Sequence, residues 1–448
     1  MHTVSASGVA PALEHTIKER DLVYRKIKWR LMPFLFICYF VNYLDRANIG
    51  FAKLQFVSDL HFTNAIYGLG AGLFFVGYVI FEIPSNLLMQ RIGTRATISR
   101  IMFLWGAVSV SMAFVRTPGE LYVARFLLGV AEAGFFPGVI LYMTYWFPTS
   151  RRGRMTSLFM TALTVAGIFG NPLSGLILAK LHGFHGWSGW QMLFILEGLP
   201  AVLLGISAWF FLADSPDRVA WLSAREKEIV AWDIASDSAL ILRREASFLS
   251  ALVDRKVYVA GFVSSSMFAA SVSIALWAPS LIKGLGVHDV GTVGFLTAIP
   301  YAASAFGMFF ISRSSDKHLE RRWHAAIGTT VCGACLIILP FAEGSVVATV
   351  VLLSAAAAGL YGAIVVFWTI PPAYLSGAAK AGGIALISSL AAVSGFFAPT
   401  LVGAVQASTG SLYIGLAGVG AAAVLGAVVL LAGIPASAIR EAQENSEH

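Results

Sequence analysis

Asn42, Asp45 and Arg46 fall at spacing i, i+3, i+4 in one long apolar run of the 448-residue chain, and Arg125, Gly129 and Glu132 fall at i, i+4, i+7 in another. If both runs are helical, each trio lies along one helix face, and a 1.5 Å rise per residue puts Arg125 and Glu132 about 10 Å apart along the axis. Two helices then each present one cation and one carboxylate. An ionised side chain at the centre of a membrane helix costs roughly 2.5–3.5 kcal/mol on the insertion scale, so such groups line polar cavities and mark a route for an ion or a charged solute. Arginine keeps its charge, and its planar fork matches a carboxylate bidentately, which suits Arg46 and Arg125 to an organic anion. Asp45 and Glu132 can take up and release protons, and a substrate anion occupying the neighbouring arginine would shift that balance. The chemistry predicted is anion recognition joined to proton binding. The alternative is that each pair only locks helices together and touches no solute.

The elements that must position these residues are membrane helices. A chain with 57% hydrophobic and 12% charged residues and a mean hydropathy of +0.76 would overfill a soluble core. Apolar stretches long enough to cross a hydrocarbon layer of about 30 Å recur at 31–51, 66–89, 97–115, 119–146, 154–180 and 190–212, then at 256–282, 289–312, 323–342, 346–370, 380–407 and 411–434. They are continuously apolar, whereas barrel strands alternate, so helices are predicted. The fold class expected is an all-α membrane protein of twelve transmembrane helices in two six-helix bundles.

Residues 213–255 are rich in balanced charge and divide the chain into an N-terminal bundle (31–212) and a C-terminal bundle (256–434), with tails at 1–30 and 435–448. Within the divide, Ser223 and Glu226 have capping-box spacing, which predicts a short helix through about Trp232 in an otherwise solvated connector. The two halves resemble each other at an offset of about 227–229 residues, as internal duplication in a transporter produces.

Lys and Arg concentrate between alternate stretches. One side carries Lys18, Arg20, Arg25, Lys26, Lys28, Arg30, the clusters at 91–100 and 151–154, and Arg313, Lys317, Arg321 and Arg322; the other carries Lys53, Arg116, Lys180 and Lys283. By the positive-inside rule both termini are cytoplasmic, and topology accounts for the net charge of +7 without any nucleic-acid partner. The first thirty residues lack the apolar core of a cleaved signal, so the first stretch is expected to insert the chain itself. Cys332 and Cys335 have CxxC spacing but no second ligand pair, and no HExxH set occurs, so no metal, no cofactor and no enzymatic activity are expected.

NYLDRANIG (42–50), GYVIFEIPSNLL (77–88), RFLLGVAEAGFFPG (125–138), FLTAIPY (295–301), DKHLERRWH (316–324) and AGGIALISS (381–389) resemble, in order and spacing, the anion:cation symporter family of the major facilitator superfamily. The likeness runs from about residue 25 to 435 and is similar to the tartrate and phthalate permease-like members and the galactonate transporters. The resemblance implies two bundles rocking about a central site. It also implies that Asp45 and Glu132 carry the coupling protons, that Arg46 and Arg125 serve the substrate anion, and that Tyr43 and Tyr78 face the cavity beside Asn42. Ser388 and Ala392 stand where relatives often offer Asn, so hydrogen bonding from the second half would differ. Trp368, Thr369 and Ser388 are candidates to hold substrate hydroxyls.

The function expected is proton-coupled import of a small organic anion, such as a hydroxy-carboxylate, a sugar acid or tartrate, across a bacterial inner membrane by a monomer. An exporter of amphiphilic or aromatic compounds is the other transport reading, and the buried arginines argue against it.

Overall fold

The computed structural model describes residues 17–241, 252–375 and 379–435. Residues 1–16 and 436–448 of the expected tails, and 242–251 of the expected connector, lie outside the described residues.

The first half comprises α1 (Ile17–Asp59), α2 (Asn64–Ile92), α3 (Thr94–Ser111), α4 (Pro118–Glu132), α5 (Phe135–Trp146), α6 (Thr149–Lys180) and α7 (Gly189–Phe211). After α8 (Ala224–Ile241) the second half follows with α9 (Arg255–Gly284), α10 (Val290–His318), α11 (Arg322–Ile338), α12 (Val346–Phe367), α13 (Ile370–Tyr374), α14 (Ala379–Thr409) and α15 (Leu412–Gly433). Among the described residues, eleven spans are long and apolar enough to cross a membrane. The twelfth, α1, runs for 43 residues, starts well before the expected residue 31, and has its apolar run diluted by the buried polar residues Asn42, Asp45 and Asn48 together with Arg46.

Two expected spans are broken. The stretch 119–146 divides at Ala133 and Gly134, and Gly134 takes a φ of +88°, a left-handed conformation that costs glycine nothing. Pro137, three residues on, has no N–H to return to a carbonyl of the preceding turn, so the helix restarts as α5. The equivalent stretch in the second half divides between Phe367 and Ile370, just before Pro371 and Pro372. The matching breaks repeat the duplication seen in the sequence.

Packing follows the same repeat. In the first half α1 lies on α6 and α7, α2 on α4, and α3 on α7; in the second, α9 lies on α14 and α15, α10 on α12, and α11 on α12 and α15. The halves meet through α2 with α14, α6 with α10, and α1 with α9.

Glycine pairs bring the halves into close contact at the face where α2 and α10 begin and α6 and α14 end. A Cβ added at Gly175 would stand 2.9 Å from Gly294 Cα, and one at Gly68 would stand 3.1 Å from Gly403 Cα. Small residues at both crossings let the backbones touch, which is how membrane helices associate without a hydrophobic driving force. Near the same face Lys53 corrects the sequence reading: it is not a loop residue but lies inside α1, 6% exposed, with its ammonium 3.8 Å from the Trp277 ring centroid and 4.8 Å from that of Tyr67. Tyr67 donates to Leu276 O at 3.0 Å, tying α2 to α9.

Gly175→Leu is expected to force α6 from α10 and disfavour this closure by about 1–3 kcal/mol, a shift in conformational population of roughly 5- to 150-fold. A single cysteine placed beside the crossing would then react faster with a water-soluble maleimide; an unchanged rate would count against the crossing as a gate.

The capping box forms as the spacing predicts: Glu226 N donates to Ser223 Oγ at 3.2 Å and Ser223 N to Glu226 Oε2 at 2.7 Å. The helix it opens runs on to Ile241 and is docked, not free in solvent. Lys26 Nζ reaches Glu226 at 2.8 Å, Tyr24 donates to Asp233 at 3.0 Å, and Trp221 stacks on Trp146 with centroids 5.7 Å apart. The helix therefore belongs with the first half.

Candidate functional site

Asp45 and Arg46 are adjacent in sequence but point to different neighbours. Asp45 is fully buried and turns to α3: Trp105 Nε1 donates to its Oδ2 at 2.8 Å, Ser109 Oγ donates to its Oδ1, and Asn48 Nδ2 donates to the same oxygen at 3.0 Å. Arg46 turns to α4 and bonds Glu132, its Nε donating to Oε1, while Asn42 Nδ2 donates to that oxygen at 2.8 Å. The pairing is thus between helices. The 3.6-residue turn separates the two side chains by about 100°, which directs the carboxylate and the guanidinium to different helices.

The break after α4 explains where Glu132 sits. It is the last residue of that helix, at the carbonyl end, where the helix dipole adds partial negative charge that favours a cation such as Arg46. Glu132 is fully buried, and its Oε2 has no hydrogen-bond partner among the described residues. Arg46 keeps 26% of its side chain accessible and Glu132 none, so the arginine is the exposed member of the pair.

Arg125 is 2% exposed, and its Nε and Nη1 are buried without a hydrogen-bond partner among the described residues. It lies against α2, with its guanidinium 5.0 Å from the Phe74 ring centroid; Arg46 is 5.5 Å from the same ring and 5.1 Å from that of Tyr78. Each desolvated cation–π contact contributes about 0.5–2 kcal/mol. One phenylalanine thus supports both guanidiniums, a role that nothing in its sequence context marks.

The second half reaches this cluster through hydroxyls. Tyr43 OH lies 3.3 Å from both Tyr301 OH on α10 and Tyr361 OH on α12, and Ser271 Oγ on α9 lies 3.0 Å from Tyr361 OH. The structure therefore brings together Asn42, Tyr43, Arg46, Tyr78, Arg125 and Glu132. Asp45 stands just behind them in the first bundle.

Trp368, Thr369 and Ser388 make no described contact with this group. Trp368 packs on Phe367, Thr369 Oγ1 returns to Val366 O at 2.7 Å, and Ser388 is exposed on α14. Glu197, 1% exposed on α7, accepts from Ser174 Oγ at 2.6 Å and joins α6 to α7. Sequence reading missed Asn48, Trp105, Ser109 and Phe74. The first three are polar groups in apolar runs, a signal that was present; Phe74 carried none.

Trp105→Phe keeps an aromatic ring but removes the N–H that serves Asp45 and opens a cavity at a fully buried site, so the hydrogen-bond loss sets a lower bound on the effect. A hydrogen bond to a charged group contributes about 1.5–3 kcal/mol, and stability should fall by at least that order. Thermal unfolding of the purified protein in detergent checks this, with an unaltered midpoint as the contrary result.

The chain belongs to the Major Facilitator Superfamily, whose sequence profile matches residues 35–399. It is 43% identical over 416 residues to the putative metabolite transport protein NicT of Pseudomonas putida, covering 93% of this chain and 94% of that one. It is 41% identical to a putative tartrate transporter of Agrobacterium vitis, covering 91% and 94%. To a quinolone resistance transporter of Acinetobacter baumannii it is 39% identical, covering 89% and 91%. The fold matches that of an inward-facing bacterial homologue of the lysosomal transporter Spinster, with a TM-score of 0.71 over 94% of this chain and 97% of that one at 17% identity. The protein is a multi-pass membrane transport protein, not an enzyme.

Proposed function

We propose that the protein is a proton-coupled symporter that imports a small organic anion, such as a hydroxy-carboxylate, a sugar acid or tartrate, by alternating access across a bacterial inner membrane, with both termini cytoplasmic and a monomer as the working unit. The observation that carries this reading is the pair formed by partly accessible Arg46 and buried Glu132. A substrate carboxylate and Glu132 compete for one guanidinium. When Glu132 takes a proton on its unpartnered Oε2 it becomes neutral, its hold on Arg46 weakens, and the fork is free to bind the incoming anion bidentately. Loss of that proton re-forms the pair and expels the anion. Proton and anion therefore bind together and leave together.

Arg125 supplies a second fixed positive charge with unpartnered nitrogens beside the same ring, which favours a substrate with more than one acidic or hydroxyl group. Asp45, held by three donors inside the first bundle, is the second proton site in this reading. Tyr43 of the first bundle meets Tyr301 and Tyr361 of the second, so in this reading their hydroxyls couple the substrate site to both bundles. The bundles, 31–212 and 256–434, move as units, and contacts such as Gly175 with Gly294 close one face while the opposite face opens.

Two protons per monoanion carry one net positive charge inward. That charge moving through about 100 mV gains roughly 2.3 kcal/mol, or about a 50-fold accumulation, whereas one proton per monoanion gains nothing from voltage. Uptake of a monoanion into proteoliposomes is expected to carry inward current. A panel of organic acids tested under imposed pH and voltage gradients checks both substrate class and stoichiometry; accumulation of none of them, or zero current at every voltage, would reject the corresponding claim.

The relative named as a quinolone resistance transporter supports a second reading, export of amphiphilic or aromatic compounds. Outward proton-driven movement of a quinolone, with no uptake of organic acids in the same vesicles, would select it. The partly accessible guanidinium of Arg46 and the buried one of Arg125, whose Nε and Nη1 lack a partner among the described residues, favour the anion.

A further inference from the structure

A second basic site lies outside the central cluster. A cleft of about 600 Å³ opens between the start of α1 and the start of α6. Arg25 and Lys28 line it from α1, and Arg151 and Arg154 from α6; Asp21 is the one acidic group on its wall. Arg151 is bonded to Asp21 at 2.5 Å and sits 4.7 Å from the Tyr24 ring centroid, so these two groups are already paired. Arg25, Lys28 and Arg154 form no ion pair with an acidic residue among the described residues. Three cations with no acidic partner among the described residues thus share one cavity.

Its position matters as much as its charge. On α1 the cleft residues immediately precede the apolar run that begins at Leu31, and on α6 they precede the run that follows Arg154. The cavity therefore stands at the height where hydrocarbon gives way to headgroups. Trp29, 68% exposed on its wall, is the amphipathic residue type that anchors at that boundary, and Lys28 lies 5.5 Å from its ring centroid. The first turn of α6, where Ser150 lines the cleft, has no side-chain cap, so the positive end of a 32-residue helix adds to the field.

We infer that this cleft binds the phosphate-bearing headgroup of an anionic phospholipid. Basic pockets between membrane helices on the cytoplasmic side are suited to such headgroups. An occupant bridging α1 and α6 would hold together two helices of one bundle at the end remote from the Gly175 crossing. This site is independent of the transport reading, since none of its residues belongs to the central cluster.

The full chain, purified in a neutral detergent, is titrated with phosphatidylglycerol or phosphatidylcholine, and bound lipid is counted by native mass spectrometry. Phosphatidylglycerol is expected to bind more tightly than phosphatidylcholine, and each cation removed should weaken it roughly fivefold near neutral ionic conditions. Arg25→Gln, Lys28→Gln and Arg154→Gln are made singly and together, the exposed single variants guarding against a misfolded triple. Arg313→Gln with Lys317→Gln, equally basic positions on α10, should leave binding unchanged. Equal affinity for the two lipids, equal binding by wild type and all variants, or loss of binding in the α10 control would each overturn the inference. Inorganic phosphate and tartrate are added as competitors; displacement of the lipid by either at equal concentration would reassign the cleft to a soluble anion and overturn the lipid assignment.

Discussion

Arg46→Ala is expected to abolish both accumulation and counterflow of the substrate anion in proteoliposomes, by at least about 100-fold, because it removes the one accessible guanidinium and leaves Glu132 buried without its cation. Two costs add here. The anion loses its bidentate partner, and a carboxylate fully shielded from water retains only Asn42 as a donor. Arg46→Lys separates them: a lysine keeps the charge but loses the planar fork, so transport should fall less, by roughly tenfold, and mainly through a raised half-saturation constant. Counterflow is the decisive measurement, since it needs binding and rocking but no proton gradient. If Arg46→Ala kept counterflow near the wild-type rate, the arginine would be a structural pair with Glu132 and the anion site would lie elsewhere.

Glu132→Gln should split the two activities instead of abolishing both. Glutamine mimics the protonated acid, and it cannot take or release a proton. Arg46 then stays available to substrate, so counterflow continues within about threefold of wild type, while the accumulation ratio under a pH gradient falls to about one, the value for an uncoupled carrier. Asp45→Asn gives a further comparison, because Asp45 is bonded to Trp105, Ser109 and Asn48 and not to the arginine. Loss of counterflow in Glu132→Gln, with normal folding by gel filtration, would argue that the carboxylate and not its proton is what Arg46 needs. The competition mechanism would then fail.

The two variants also divide the site by helix. Arg46 belongs to α1 and Glu132 to the broken end of α4, and the bond between them crosses the interior of the first bundle. A conformational change that slides α4 against α1 would therefore alter proton and anion affinity together. Phe74 on α2, against which both guanidiniums lie, couples a third helix to the same event.

Much of this was legible in the chain alone. Twelve apolar stretches and the capping box at Ser223 follow from helix length and local hydrogen bonding, which act within a few residues of one another. The cost of a charge in hydrocarbon was enough to single out Asp45, Arg46, Arg125 and Glu132, since four such groups persist only where something compensates them. Which group compensates which was decided by tertiary packing. The face argument placed Asp45 with Arg46, yet the turn of α1 sends one to Trp105 and Ser109 and the other to Glu132, on helices 60 and 86 positions away in sequence. Likewise the break at Gly134, the burial of Lys53 between Tyr67 and Trp277, and the meeting of Tyr43 with Tyr301 and Tyr361 depend on how helices cross. Sequence periodicity fixes which residues share a face; it carries no information on which other helix that face will meet, because in a bilayer apolar surfaces pair by shape and by small-residue contacts and not by exclusion of water.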